Sequence, residues 1–288
     1  MKKVLVVMIL LACSLWAKPE MVLVEKGVNK VNGKSLGIIY DVYFGKYEVT
    51  IGEFVEFLNS YGIDKDGKYK GIVILDLKHK NSFVAHNGKK FVINPWKDNR
   101  GKDIDLKKYP MNLVSWQGAA AYCNWLSEKE KLPKAYDEKT WKVIDDKVLS
   151  KTKGYRLPSI VEWLYVSKGG KKCTDMPYAG SKNLDEVAWY EKNSTSDGNT
   201  NIGSQKNKKY GTMPVGTKKA NELGIYDILG NVEEWGNAIN ETSKYREHLF
   251  FGEAFPGTPL LGGFFYSVMV PTEEPIQSLG FRVSRTKY

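Results

Sequence analysis

Residues 224 to 237 read GIYDILGNVEEWGN and set Asp227, Asn231, Glu233 and Glu234 among glycines within an apolar frame of Ile, Tyr, Leu, Val and Trp. Carboxylates beside glycine-shaped turns are the materials of an oxygen-lined cation loop, and Ca²⁺ takes about six to eight oxygens. Asp227 offers a side-chain oxygen, Gly230 and Val232 offer main-chain oxygens, and Glu234 can close the ring. The same residues also make a metal-free turn, in which Asp227 and Glu234 accept hydrogen bonds from backbone amides. Asn231, which tolerates the left-handed conformation, would orient either form. The spacing is not that of an EF-hand, so the residues alone leave both readings open.

A second group lies further on. Arg246, Glu253 and Ser267 are candidate ligand-binding residues, and Glu273 and Glu274 add carboxylates nearby. No spacing pairs an acid with a base among them, so no catalytic residue is assigned. The surrounding HLFFGEAFPGTPLLGGFFY (248–266) is unusually aromatic. Either it faces a ligand, or Phe250, Phe251, Phe255, Phe264, Phe265 and Tyr266 fill the core. The three histidines (His79, His86, His248) are too scattered for a histidine-rich metal centre. Cys123 shares a helical stripe with Trp116, Ala119 and Ala120, where a thiol packs as an inert small hydrophobe.

The elements that must position these groups announce themselves through caps and periodicity. EMVLVEKG (20–27) and SLGIIYDVYFGKYEV (35–49) alternate as strands around the turn VNGKS. Thr50 and Glu53 form a capping box ahead of a helix over 51–59, with Ile51, Phe54, Val55 and Leu58 facing inward. Residues 60–108 read as an elaborated surface insertion with short strands at 71–75 and 90–94. Ser115 caps a second helix. Ser159 and Glu162 box a third, which Gly169-Gly170 ends, with Ile160, Trp163 and Leu164 inward. The rest is dense in Gly, Asn, Pro and aromatics, which predicts loops and short strands within one α+β domain.

The first residues, MKKVLVVMILLACSLWAKPE, have the layout of an export leader. Cleavage after Ala17 leaves a domain over 18–288; alternatively LLAC (10–13) resembles a lipobox, in which Cys13 carries a lipid anchor. The apolar run is shorter than the ~20 residues of a membrane span, so no transmembrane helix is expected. The net charge of +10 is scattered among Gly, Asn and Asp, a solvated surface rather than a nucleic-acid site.

In order along the chain, YEVTIGEFVEFLN, PMNLVSWQGAAAYCNWLS, YRLPSIVEWLYVSKGG, VAWYEKNS, MPVGTKKANELGIYDILGNVEEW, the Gly262-Gly263 pair and LGFRVSR resemble the formylglycine-generating enzyme family, the sulfatase-modifying factor proteins. The resemblance implies a compact, irregular α+β fold related to C-type lectins, poor in regular secondary structure. It implies structural calcium at Asp227, Gly230, Val232 and Glu234, with Asn193 and Asp197 as weaker candidates for a second site. In the family's oxidases a cysteine pair between the Gly-Gly motif and Gly-Phe-Arg holds copper. Here that segment, GGFFYSVMVPTEEPIQSLGFR (262–282), contains no cysteine. Copper(I) chemistry of that kind needs soft thiolates, so copper and formylglycine generation are not expected. Iron chemistry of the kind found in ergothioneine-type relatives, which carry their iron on histidines of an additional helical domain, is not expected either, since this chain shows neither spare length for it nor such a histidine cluster. The resemblance places Arg282 with a buried carboxylate, and the Ser-x-x-Glu pattern makes Glu162 structural. Two functions remain: an exported binding or assembly protein for an unidentified protein or small-molecule ligand, or an enzyme of the superfamily with a different chemistry.

Overall fold

The computed structural model describes residues 18–31, 33–97, 101–144, 151–174, 176–190, 192–194, 211–240, 247–252, 269–271 and 275–288. Four strands open the chain: β1 (Met21–Val24), β2 (Gly27–Val31), β3 (Lys34–Ile38) and β4 (Val42–Gly45). β2 and β3 form an antiparallel hairpin, while β1 pairs antiparallel with β4. Helix α1 (Ile51–Ser60) starts at the expected capping box: Glu53 N–H donates to Thr50 Oγ1, and Thr50 N–H donates to Glu53 Oε2 at 2.8 Å. Its buried face is Ile51, Phe54, Phe57 and Leu58. Val55, expected inward, is only partly buried, and Phe57 takes its place.

The following segment forms three two-stranded hairpins, β5 (Lys68–Tyr69) with β6 (Ile72–Val73), β7 (Val84–His86) with β8 (Phe91–Ile93), and β9 (Trp96–Lys97) with β10 (Asp103–Ile104). It was expected as a surface elaboration, yet Ile74, Leu75, Phe83, Val84, Phe91 and Leu106 are core residues. The apolar residues there come as runs of three or four (72–75, 83–85 and 91–93), too short to show which side is buried, and their place in the core follows only from the folded packing.

Helix α2 (Trp116–Lys129) is capped by Ser115, whose Oγ accepts from Gly118 N–H at 3.0 Å, and it is buried from Trp116 through Ser127. Helix α3 (Ile160–Ser167) carries the expected box of Ser159 and Glu162, and a left-handed Gly169 follows it. The short α4 (Leu184–Val187) leads into β11 (Ala188–Trp189), which pairs in parallel with β12 (Leu229–Gly230). Gly230 is the one residue type that fits there, since its φ is 80° and a Cβ would stand 2.2 Å from the Trp189 carbonyl oxygen. A four-stranded sheet follows in the order β15-β14-β13-β16, from β13 (Glu233–Asn240), β14 (Glu247–Phe251), β15 (Met269–Pro271) and β16 (Leu279–Gly280). Finally β17 (Ser284–Thr286) returns to β4 and completes the sheet β1-β4-β17.

Buried apolar side chains gather in two clusters. One is built on α1, α2 and the hairpin segment, with Trp235, Phe281 and Val283; the other on α3, β1, β4 and residues 225–229. Phe250 and Phe251 are buried in the first and the second respectively. Among the described residues no helix is long and apolar enough to cross a membrane.

A candidate metal loop and its buried charges

The stretch 224–237 runs from a turn through β12 into β13, and both Asp227 (φ 53°) and Asn231 (φ 58°) take the left-handed conformation. Asn231 holds this turn in place: its Oδ1 accepts from Met213 N–H at 2.9 Å, and its Nδ2 donates to Glu48 Oε2 at 2.7 Å. Glu48 also accepts from Val232 N–H at 3.2 Å. Glu48 is 1% exposed, and no pattern in the sequence singled it out. The only signal was a charged residue lodged between Tyr47 and Val49, just before a helix cap.

Asp227 is 2% exposed and accepts from Gly216 N–H at 2.6 Å through Oδ2, while its Oδ1 is buried without a hydrogen-bond partner. Burial raises its carboxyl to about 6, opposed by the Gly216 amide and by Arg282. Burial also pushes Glu48 well above the usual carboxylate range, and the neighbouring Asp227 and Glu234 push the same way.

Glu234 turns toward Arg282. The Arg282 Nε donates to both carboxylate oxygens at 2.7 and 2.8 Å, Nη2 stands 2.5 Å from Oε1, and Trp163 Nε1 donates to Oε2 at 2.9 Å. Arg282 Nη1 donates to the Gly45 carbonyl, and Nη2 to those of Tyr226 and Asp227. The buried Arg282 guanidinium thus touches the Glu234 carboxylate and feels the nearby charges of Glu48 and Asp227. Among the described residues no three Asp, Glu, His or Cys side chains converge as metal ligands. Of the four residues expected to hold calcium, Glu234 is committed to Arg282, while Asp227 keeps one carboxylate oxygen without a hydrogen-bond partner.

A second buried pair lies nearby. Arg156 donates to Glu162 at 2.6 and 2.7 Å and to Ser284 Oγ at 2.8 Å, while Tyr40 Oη donates to Glu162 Oε1. Burial works against the Glu162 charge, but Arg156 and the Ser159 amide hold its carboxyl below the usual range. This pair joins α3 to β17. Cys123 is fully buried on α2, and burial pushes its thiol far up; Cys173 is partly exposed, and both are free.

Asn193 Nδ2 donates to the Ala188 carbonyl at 2.9 Å and its Oδ1 accepts from Tyr190 N–H, so it staples its own turn. Asp197, Arg246, Glu253, Ser267, Glu273 and Glu274 lie outside the described residues, as do Cys13 and the leader.

Residues 15–287 match the model of the sulfatase-modifying factor enzyme 1-like domain. The chain is 32% identical over 238 residues to the chaperone protein LppX of Paenibacillus barcinonensis, covering 75% of this chain and 70% of that protein. It is 25% identical over 215 residues to the formylglycine-generating enzyme of Mus musculus, covering 67% of this chain and 48% of that enzyme. The chain therefore spans about half of the enzyme it matches. Its fold is also that of the crystal structure of CarF, with a TM-score of 0.64 at 20% identity over 94% of this chain and 99% of that one. The capped helices, the left-handed Asn231 turn and the Arg282 anchor are features of a chain that belongs to the sulfatase-modifying factor enzyme 1-like family.

Proposed function

We propose that this chain is an exported binding or assembly factor that keeps the family fold without formylglycine chemistry. One observation carries the reading: residues 262–282, where the oxidases place their copper-binding cysteine pair, contain no cysteine. Cys123 offers no substitute, because its thiol is enclosed in α2 and burial disfavours the thiolate that copper needs. The LppX relative is named a chaperone, which supports a protein as the partner. The leader at the start of the chain supports export. The test has two arms. Purified protein given copper and a sulfatase-type cysteine peptide should leave the peptide mass unchanged, and it should reduce light scattering when an unfolded exported enzyme is diluted into buffer. Peptide turnover, or scattering identical to that with an inert protein, overturns the proposal.

Calcium in the Asp227 loop belongs to the same proposal, as a structural ion. The unpartnered Oδ1 of Asp227 fits a cation, and the excess of buried carboxylates over Arg282 favours added positive charge. Asp227, Gly230 and Val232 would hold the ion, and Glu234 would share its carboxylate with it. The expected result is a melting temperature that EDTA lowers and Ca²⁺ restores, and a Asp227→Ala variant indifferent to both. A wild-type melting temperature that ignores both reagents argues against the ion.

A further inference from the structure

The tip of the β7–β8 hairpin holds an Asn-Gly pair beside a base. Residues 87–90 are Asn-Gly-Lys-Lys, all exposed, and Asn87 N–H donates to the Lys90 carbonyl at 3.0 Å to close the turn. Gly88 has φ 90°, and nothing lies within 4 Å of where its Cβ would stand. Three further contacts converge on this peptide. The Gly88 N–H donates to Nδ1 of His86 at 3.2 Å. The Asn87 side-chain carbonyl oxygen accepts from both Lys89 N–H and Lys90 N–H, each at 3.0 Å. The His86 ring is steadied edge-on against its cross-strand partner Phe91, with centroids 5.0 Å apart.

We propose that Asn87 is a site of self-catalysed conversion to aspartate and isoaspartate, with His86 as the base and the amides of Lys89 and Lys90 as the oxyanion donors. The Gly88 nitrogen attacks Cγ of Asn87 while His86 Nδ1 takes its proton, and the negative charge gathers on an oxygen that two amides already hold. The bond from Cγ to the side-chain nitrogen then breaks, that nitrogen takes a proton from the imidazolium, and ammonia leaves. Water opens the resulting five-membered imide on either side, giving an aspartyl or an isoaspartyl link. Atoms balance with water as the only co-reactant, and the exposed tip admits it. The free space around Gly88 lets its nitrogen move, and Lys89 and Lys90 favour the carboxylate that forms.

The product alters more than the tip. β8 is clamped to α1 by Asn59, whose Nδ2 donates to the Phe91 carbonyl at 3.0 Å and whose Oδ1 accepts from Phe91 N–H at 2.8 Å. An isoaspartyl link adds a backbone carbon inside the turn that this clamp holds in register.

The test follows amide-to-acid conversion at residue 87 by peptide mass spectrometry, in the native full-length protein and in the same protein unfolded in urea at the same pH. Asn32, in the sequence's other Asn-Gly pair, serves as the internal reference. The native rate at Asn87 should exceed the unfolded rate. His86→Phe should slow the native rate about tenfold or more while leaving the unfolded rate and the Asn32 rate unchanged. Thermal melts verify folding, with His86→Leu as the second variant should the phenyl ring disturb Phe91. A native rate at or below the unfolded rate, or a native rate indifferent to both His86 substitutions, overturns the proposal.

Discussion

Arg282 is fully buried, and its charge is sustained by the Glu234 carboxylate and the carbonyl oxygens of Gly45, Tyr226 and Asp227. A guanidinium supplies donors in a fixed plane, which matches this spread of acceptors better than the single point of an ammonium. Arg282→Met would strand Glu234 beside Trp163 with no counter-charge. We expect a loss of about 3–5 kcal/mol, read from urea unfolding midpoints, with Arg282→Lys recovering only a minor part. Full recovery by lysine would show that charge alone matters. That Arg282 meets a buried carboxylate was legible from its family motif. That Glu234 is the carboxylate was not, because Glu234 sits in a loop whose composition equally suits a cation.

At the scale of elements, the helix starts were the most legible feature. A Thr or Ser followed three residues later by Glu acts within a single turn, so the contacts at Thr50 and Ser159 follow from local chain geometry alone. Ties between distant segments left no such mark. Glu138 accepts from Tyr61 at the end of α1, Tyr69 of β5, Lys70 and Lys134, at 2.5 to 2.9 Å. Burial alone would raise its carboxyl, but these four donors override it and hold the group down at about 2. A folded value below the unfolded one gives stability that is complete above the ordinary carboxylate range of about 4 to 5 and is lost as pH falls toward 2. In urea melts, wild type should therefore outlast Glu138→Gln at neutral pH, and the gap should narrow steadily as the buffer is acidified. A gap that stays constant down to the acid limit would assign the difference to packing instead.

Across the whole molecule, the two buried ion pairs tie the two apolar clusters together, Arg156 standing between Tyr155 and Leu157 of one and its partner Glu162 next to Trp163 of the other. Arg282 stands in the chain between Phe281 and Val283 of one cluster, and its carboxylate partner is held by Trp163 of the other. The sequence by itself determined the capped helices, the α+β class, the family and the lack of a copper-binding cysteine pair, since these rest on residue identity or on contacts within one turn. Tertiary structure alone decided that residues 60–108 supply core, and that Glu48 joins Asp227 and Glu234 in one buried group. The physical reason is range. A cap reaches three residues, whereas Glu234 meets an arginine 48 residues away and Asn231 a glutamate 183 away. Which carboxylate a buried cation takes is set by burial and packing, which exist only once the chain has folded.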